Sequence, residues 1–155
     1  MDSIRKKYIQ VSTQYKKLDE IYYLIAKELG LSETSFWVLY TLCESDEVLT
    51  QNSIRERLGI PKQTINSAIT NLSKDGFLYL EQLNLRGNSK GVILTEKGRE
   101  YCSKNILPIL KTEDEAYSNI DKNELEVFFK LYEAQNNLLS VYLSEYLKSV
   151  KEDGI

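Results

Sequence analysis

The apolar positions of the first thirty residues recur in steps of four and three: Ile4, Tyr8, Val11, Tyr15, Leu18, Tyr22, Ile25 and Leu29. That rhythm draws one stripe along a single long helix, and Gly30 is placed to stop it. Ser32 is positioned to cap a second helix. Phe36, Trp37, Leu39, Tyr40, Leu42 and Cys43 give that helix a broadly apolar surface, the pattern of an element central to a core. Leu49 and Ile54 bracket Thr50 as a hydrophobic staple brackets a cap. A third helix therefore opens there and ends at Leu58–Gly59. Pro61 suits the first turn of a fourth helix, where its missing N–H costs nothing, and Asp75-Gly76 ends that helix after Lys74.

The period then changes. FLYLEQL (77–83) is a strand candidate, NLRGNSKG (84–91) a turn rich in Gly and Asn, and VIL (92–94) a short returning strand. Thr95 opens a further helix through Tyr117, with a kink expected at Pro108. Asp121 and Glu124 form the Asp variant of a capping box and start the last helix. Its stripe is Leu125, Phe128, Tyr132, Gln135, Leu139, Tyr142, Tyr146 and Val150, again in threes and fours. The expectation is a mainly α fold: five or six helices around a small two- or three-stranded β-wing, with long helices at both ends. No internal repeat or low-complexity linker interrupts it.

The centre of this pattern, TQNSIRERLGIPKQTINSAITNL (50–72), has the form of a helix-turn-helix. Ile54, Leu58, Ile60, Ile65, Ala68 and Ile69 fall where two short helices joined by a tight turn bury their side chains. Gly59 falls where the turn needs a backbone that tolerates positive φ. The second helix turns Lys62, Gln63, Asn66, Ser67, Thr70, Asn71 and Lys74 outward, groups that donate or accept at base edges and phosphates. A polar face is ordinarily just a solvated one. Here the turn before it and the wing after it point to DNA.

Charge agrees, modestly. The chain carries a net −3, but residues 50–98 hold seven Lys/Arg against four Asp/Glu, a local +3 on an acidic remainder. No apolar run approaches the roughly 20 residues that span a bilayer. The opening MDSIRKKY lacks the apolar stretch of a signal peptide, so the expected location is the cytoplasm. Histidine is absent, which removes the commonest general base and metal ligand. With no phosphate-cradling glycine loop and no nucleophile–base pair, the chain reads as no enzyme, with no cofactor and no metal site. Cys43 and Cys102 have neither scaffold nor metal-ligand spacing. Cys43 reads as a small buried hydrophobe. Cys102, early in a helix beside polar residues, reads as the better redox candidate.

Two long apolar stripes at opposite ends of the chain exceed what one small winged domain covers. Pairing with the same helices of a second copy buries them, at roughly 25 cal/mol per Å². Ile4, Tyr8, Val11, Leu139, Tyr142 and Tyr146 are the candidate interface. The division expected is an N-terminal dimerisation helix (1–31), a winged helix-turn-helix (32–98) and C-terminal dimerisation helices (99–155).

With these residues placed, the chain resembles the MarR family of winged-helix transcriptional regulators over nearly its whole length. The resemblance rests on the long first helix, LGIPKQTINSAITNLSKDGFL, the wing, the VILTEKG tail and the final helix pair. It implies a homodimer that recognises a pseudo-palindromic operator, commonly represses nearby genes and is released by a small ligand or an oxidant. It also implies that the helix matching Pro61–Lys74 enters the major groove and that the wing tip meets the minor groove. Carried over, Gln63, Thr64, Asn66 and Ser67 become base readers. Lys62, Thr70, Asn71 and Lys74 become phosphate anchors, and Thr50 joins the contacting set. Arg86 becomes the minor-groove residue, with Asn88 and Lys90 beside it. The wing lacks the aspartate that usually braces this arginine, and Arg55 stands where a small residue usually lies at the helix crossing. A pocket for a small aromatic ligand is implied as well, with Tyr15, Trp37 and Tyr40 as walls. The competing reading is a winged-helix module that binds protein instead of DNA, and it calls for apolar anchors on the exposed face of 62–74.

Overall fold

The structure is a computed structural model that describes residues 3–83 and 90–152. Among them are seven helices and two strands. The order is α1 (Ser3–Glu28), α2 (Glu33–Glu44), α3 (Gln51–Leu58), α4 (Lys62–Lys74), β1 (Leu78–Gln82), β2 (Lys90–Leu94), α5 (Glu96–Asn105), α6 (Leu107–Ser118) and α7 (Lys122–Glu152). Two compact units divide the chain, Met1–Leu110 and Lys111–Ile155.

The predicted caps form. Ser32 accepts a hydrogen bond from the Ser35 N–H, and Thr50 from the Ser53 N–H, each 3.1 Å. Ser53 returns the favour by accepting from the Thr50 N–H at 2.8 Å, which closes a capping box. Asp121 Oδ1 accepts from the N–H groups of Asn123 and Glu124. At the end of α3, Gly59 takes φ 64°, and its N–H donates to the Arg55 carbonyl at 2.9 Å. Only a residue without a side chain adopts this conformation cheaply.

Three boundaries differ from expectation. Pro61 is the N-cap of α4, with extended backbone, and Lys62 is the first helical residue. Its fixed φ suits either place, and the Pro61 carbonyl accepts the first turn's N–H groups from Thr64 and Ile65. The span from Thr95 to Tyr117 is two helices, not one kinked helix. Proline has no N–H to give the preceding turn, so α5 ends at Asn105 and α6 restarts at Leu107. Finally, β2 begins at Lys90, within the stretch expected as turn.

The core lies in the first unit. Phe36, Val38 and Leu39 of α2 are fully buried, with Ile54 of α3, Ile65, Ile69 and Leu72 of α4, Leu78 of β1 and Ile106. The expectation that α2 is central holds: it packs against α1, α3, α4 and α5. Each such side chain contributes roughly 1.5–3 kcal/mol by leaving water.

β1 and β2 pair antiparallel from Leu78↔Leu94 to Gln82↔Lys90. A single bridge, Thr50↔Gly91, with the Val92 N–H donating to the Leu49 carbonyl at 2.8 Å, ties the mouth of α3 to the wing. The wing is thus two strands with a one-residue third. Its other end is fastened to the end of α4: the Thr95 hydroxyl donates to the Gly76 carbonyl at 2.6 Å, and Lys97 donates to the Asp75 carbonyl at 2.6 Å. Thr95 also caps α5 by accepting from the Gly98 N–H. A Cβ at Gly98 would lie 1.9 Å from the Phe77 carbonyl oxygen, so this crossing requires glycine. The TEKG segment is the clamp that holds the wing and α4 in register.

The end helices behave differently along their lengths. Tyr22, Ile25 and Ala26 of α1, with Leu29 just after it, pack on the core. Ile4 remains 72% exposed, and Tyr8, Val11, Leu18, Ile21 and Leu24 are exposed too. No residue of α7 is buried.

Candidate nucleic-acid interface

α4 buries Ile65, Ala68, Ile69 and Leu72 and leaves the opposite side to solvent. At 3.6 residues per turn, Gln63, Ser67, Thr70 and Lys74 form the outermost row. Lys62 and Asn66 lie on one flank of that row, and Thr64 and Asn71 on the other. All eight are exposed except Asn66, which is half-buried. The row is polar throughout, with none of the apolar anchors that a protein-binding face needs.

Two hydroxyls are already engaged. Ser67 donates to the Gln63 carbonyl at 2.9 Å and Thr70 to the Asn66 carbonyl at 2.8 Å. Their protons are directed along the helix, which leaves oxygen lone pairs facing outward as acceptors. The amides of Gln63 and Asn66 and the ammonium groups of Lys62 and Lys74 supply the donors.

The Lys62–Asn66 flank opens into a groove of about 220 Å³ lined by Thr50, Gln51, Asn52, Arg55, Lys62, Ile65, Asn66 and Lys90. It joins three elements: the start of α3, the start of α4 and the first residue of β2. Arg55, Lys62 and Lys90 make it cationic. Arg55 does not lie idle along the helix crossing. Its Nε donates to Asn52 Oδ1 at 3.1 Å and its Nη2 meets Glu56 Oε1 at 3.2 Å, while Asn52 Nδ2 donates to the same carboxylate at 2.8 Å. This exposed network orients the guanidinium more than it stabilises the fold. Gln51, Asn52 and Arg55 are residues that the sequence reading left out of the site. The spacing of Asn52, Arg55 and Glu56, three and four apart on one helix, is the signal that points to them.

Not every candidate faces this groove. Asn71 and Lys74 line a separate cleft of about 260 Å³ with Gly30, Leu31, Ser32, Ser35, Leu72 and Asp75. Thr50 borders the groove while its hydroxyl and amide serve the cap of α3. Arg86 and Asn88 lie outside the described residues. Lys90, the third candidate from the wing, is exposed at the first position of β2.

Of the aromatic trio, Trp37 and Tyr40 are neighbours with ring centroids 5.2 Å apart. Tyr22 of α1 meets Trp37 at 4.9 Å, and Phe36 lies 5.1 Å from Trp37. Tyr15 is half-buried two turns earlier on α1. Trp37 also borders a cleft of about 430 Å³ with Glu33, Thr34, Arg57, Leu58 and Ile60.

The burial of the two cysteines differs from expectation. Cys102, 2% exposed, is the buried one, and Cys43 is half-buried. Cys102 falls on the inner face of α5 because the Thr95 cap sets the rotation of that helix.

Among the described residues, no helix is long and apolar enough to cross a membrane, and no cluster of His, Cys, Asp or Glu is arranged to hold a metal.

Residues 29–83, from the end of α1 to the outgoing strand of the wing, match the family model described as the MarR family. No curated protein matches the chain. Among solved structures, a MarR family regulator from Neisseria meningitidis, NMB1585, aligns over 94% of this chain and 99% of its own at 20% identity and a TM-score of 0.75. A MarR family transcriptional regulator from Listeria monocytogenes, complexed with a 26mer DNA, aligns over 92% and 93% at 24% identity and a TM-score of 0.67. The PcaV transcriptional regulator from Streptomyces coelicolor, in complex with its natural ligand, aligns over 80% and 89% at 20% identity and a TM-score of 0.57. At these identities the structures establish the fold.

Proposed function

We propose, from the MarR family match of the winged helix and the MarR fold of the chain, that this protein is a homodimeric, sequence-specific transcriptional regulator. One observation carries the reading. The polar outer row of α4 runs beside a cationic groove built by α3, α4 and the start of β2, lined by Arg55, Lys62 and Lys90 among others. Duplex DNA offers the matching surface: base edges for a helix in the major groove and phosphates for the flanking cations. The Listeria relative's DNA complex supports the same assignment.

In this scheme Gln63, Thr64, Asn66 and Ser67 read bases, because they occupy the first turns of the helix that enters the groove. Lys62, Thr70, Asn71 and Lys74 hold phosphates, joined by Arg55, Lys90 and the polar residues at the mouth of α3. The wing tip, with Arg86 and Asn88, takes the minor groove. The exposed apolar residues of α1 and α7, with Ile4, Tyr8, Val11, Leu139, Tyr142 and Tyr146 among them, form the dimer contact. Residues 1–31 and 99–155 thus serve assembly, and 32–98 serve recognition. A two-fold pair sets its recognition helices about 34–36 Å apart, one turn of DNA. The role is repression, relieved by a small aromatic ligand near Tyr15, Trp37 and Tyr40 or by oxidation, and the site of action is the cytoplasm. PcaV, solved with its natural ligand, supports a ligand-responsive scheme.

A mobility-shift series on DNA upstream of the protein's own gene tests this. Affinity is expected to fall with log[salt] at about −0.9 per phosphate neutralised. Sedimentation at the same concentrations is expected to give two copies. A single sedimenting copy that binds no DNA at low salt would overturn the reading.

A further inference from the structure

The cleft beside Trp37 takes no part in the DNA-facing surface. It holds about 430 Å³ and is lined by Glu33, Thr34 and Trp37 of α2 and by Arg57, Leu58 and Ile60. That volume falls within the roughly 300–1,000 Å³ of small-molecule pockets. The three α2 positions share one face of the helix, being three and four residues apart. α3 contributes its last two residues, and Ile60 sits in the turn between Gly59 and Pro61, the N-cap of α4. Trp37, Leu58 and Ile60 are half-buried and pack on the core, an apolar floor already held in place. Tyr22 and Phe36 brace the indole, with ring centroids 4.9 and 5.1 Å away.

The same cleft carries two exposed charges of opposite sign that do not meet each other. Among the described residues neither Glu33 nor Arg57 has a side-chain hydrogen bond or an ionic partner. Glu56, next in sequence to Arg57, is already taken by Arg55 and Asn52. This arrangement selects its ligand. A simple anion gains Arg57 and is opposed by Glu33. A simple cation gains Glu33 and the indole face and is opposed by Arg57. A small molecule with both charges close together and an apolar tail satisfies both residues and covers the floor.

We propose that this cleft binds a free α-amino acid with a branched aliphatic side chain. Its carboxylate pairs with Arg57, its ammonium with Glu33, and its side chain lies on Trp37, Leu58 and Ile60. The Thr34 hydroxyl offers a neutral hydrogen bond beside Glu33. Charges this open to water are partly screened, so the affinity expected is about millimolar. The site abuts the turn from which α4 departs, yet binding requires neither DNA nor a second copy. Its failure therefore leaves the DNA-binding reading untouched.

Trp37 is the chain's single tryptophan, so its emission reports on the cleft directly. The test titrates the full chain with L-leucine, with isocaproate (leucine without its amine) and with isoamylamine (leucine without its carboxylate). Heat is measured in parallel. Leucine is expected to change the emission saturably, with matching heat. Each singly charged analogue is expected to bind about fivefold more weakly, the upper range for one exposed charge contact. Glu33→Gln should close the gap between leucine and isocaproate, and Arg57→Gln the gap between leucine and isoamylamine. Both side chains are exposed, so the fold does not depend on either. Absence of both emission change and heat, analogues equal to leucine in the unmodified chain, or a gap that survives in its own variant would each overturn the proposal.

Discussion

α4 and α7 carry apolar residues at the same spacing of threes and fours, yet they differ completely in what those residues touch. Four positions of α4 are buried, held by α2, α3 and β1. In α7 none is buried: Leu131 is 65% exposed and Tyr142 68%, and Val127, Leu138, Val141, Leu143, Tyr146 and Leu147 are also open. The rings of α7 meet one another, as in the stacked pair Phe128–Tyr132 at 5.8 Å, and Phe129 meets Tyr117 of α6. The contrast teaches that periodicity specifies a face without naming its partner. The winged helix closes its own core. α7 and the first two-thirds of α1 offer an area that one copy of the chain leaves in water, a strong reason for a second copy.

If that division is right, damage in the two regions has different signatures. The largest effect is expected for Phe36→Ala. It empties the middle of the core and should cost about 3–5 kcal/mol of unfolding stability in urea melts, with its share independent of protein concentration. A loss below about 1 kcal/mol would mean that the first unit does not depend on α2 as its buried side chains indicate. Next comes Tyr142→Asp, expected to weaken dimerisation by about 2 kcal/mol or more, roughly thirtyfold, read by sedimentation over a dilution series. Helical content should persist. An unchanged dimer would move the interface away from α7.

Smaller effects sharpen the picture on the recognition side. Asn66→Ala should cost about 1–3 kcal/mol on the operator and relax base preference, while Lys74→Ala should weaken operator and random DNA alike and lessen the salt slope by about one. Equal losses on both DNAs for Asn66→Ala would remove it from the base readers. The smallest effect is expected for Thr50→Ala. Loss of the cap should lower stability by about 1 kcal/mol in the same urea melts, and any extra loss of DNA affinity would mark Thr50 as a contact in its own right.

Much of this was legible residue by residue. Ser32, Thr50, Thr95 and Asp121 cap the helices expected of them, because a cap is a short-range event between a side chain and an N–H two or three residues on. Gly59 stops α3 for an equally local reason. The outward row of α4 follows from spacing alone. Less legible was the break at Ile106, where the cost of Pro108 could be met by a bend or by two helices, and tertiary packing of the buried Ile106 chose the latter. Arg55 looked like a misfit at the helix crossing. It is part of the groove because Asn52 and Glu56 hold its guanidinium there, and pairing among polar side chains leaves only a faint periodic trace. Which of Cys43 and Cys102 lies deeper was not legible from their neighbours in sequence. Their burial depends on how α2 and α5 pack.

By itself the amino-acid order determined most of the helices, their caps, the two wing strands and the polar edge of α4, since each depends on hydrogen bonds and side-chain directions within one or two turns. The folded chain alone decided which apolar stripe is consumed inside and which stays open, that a cationic groove joins α3, α4 and Lys90, and that Cys102 is the more deeply buried of the two cysteines. Those outcomes depend on contacts between distant segments, and such contacts are set by the packing of whole elements around α2.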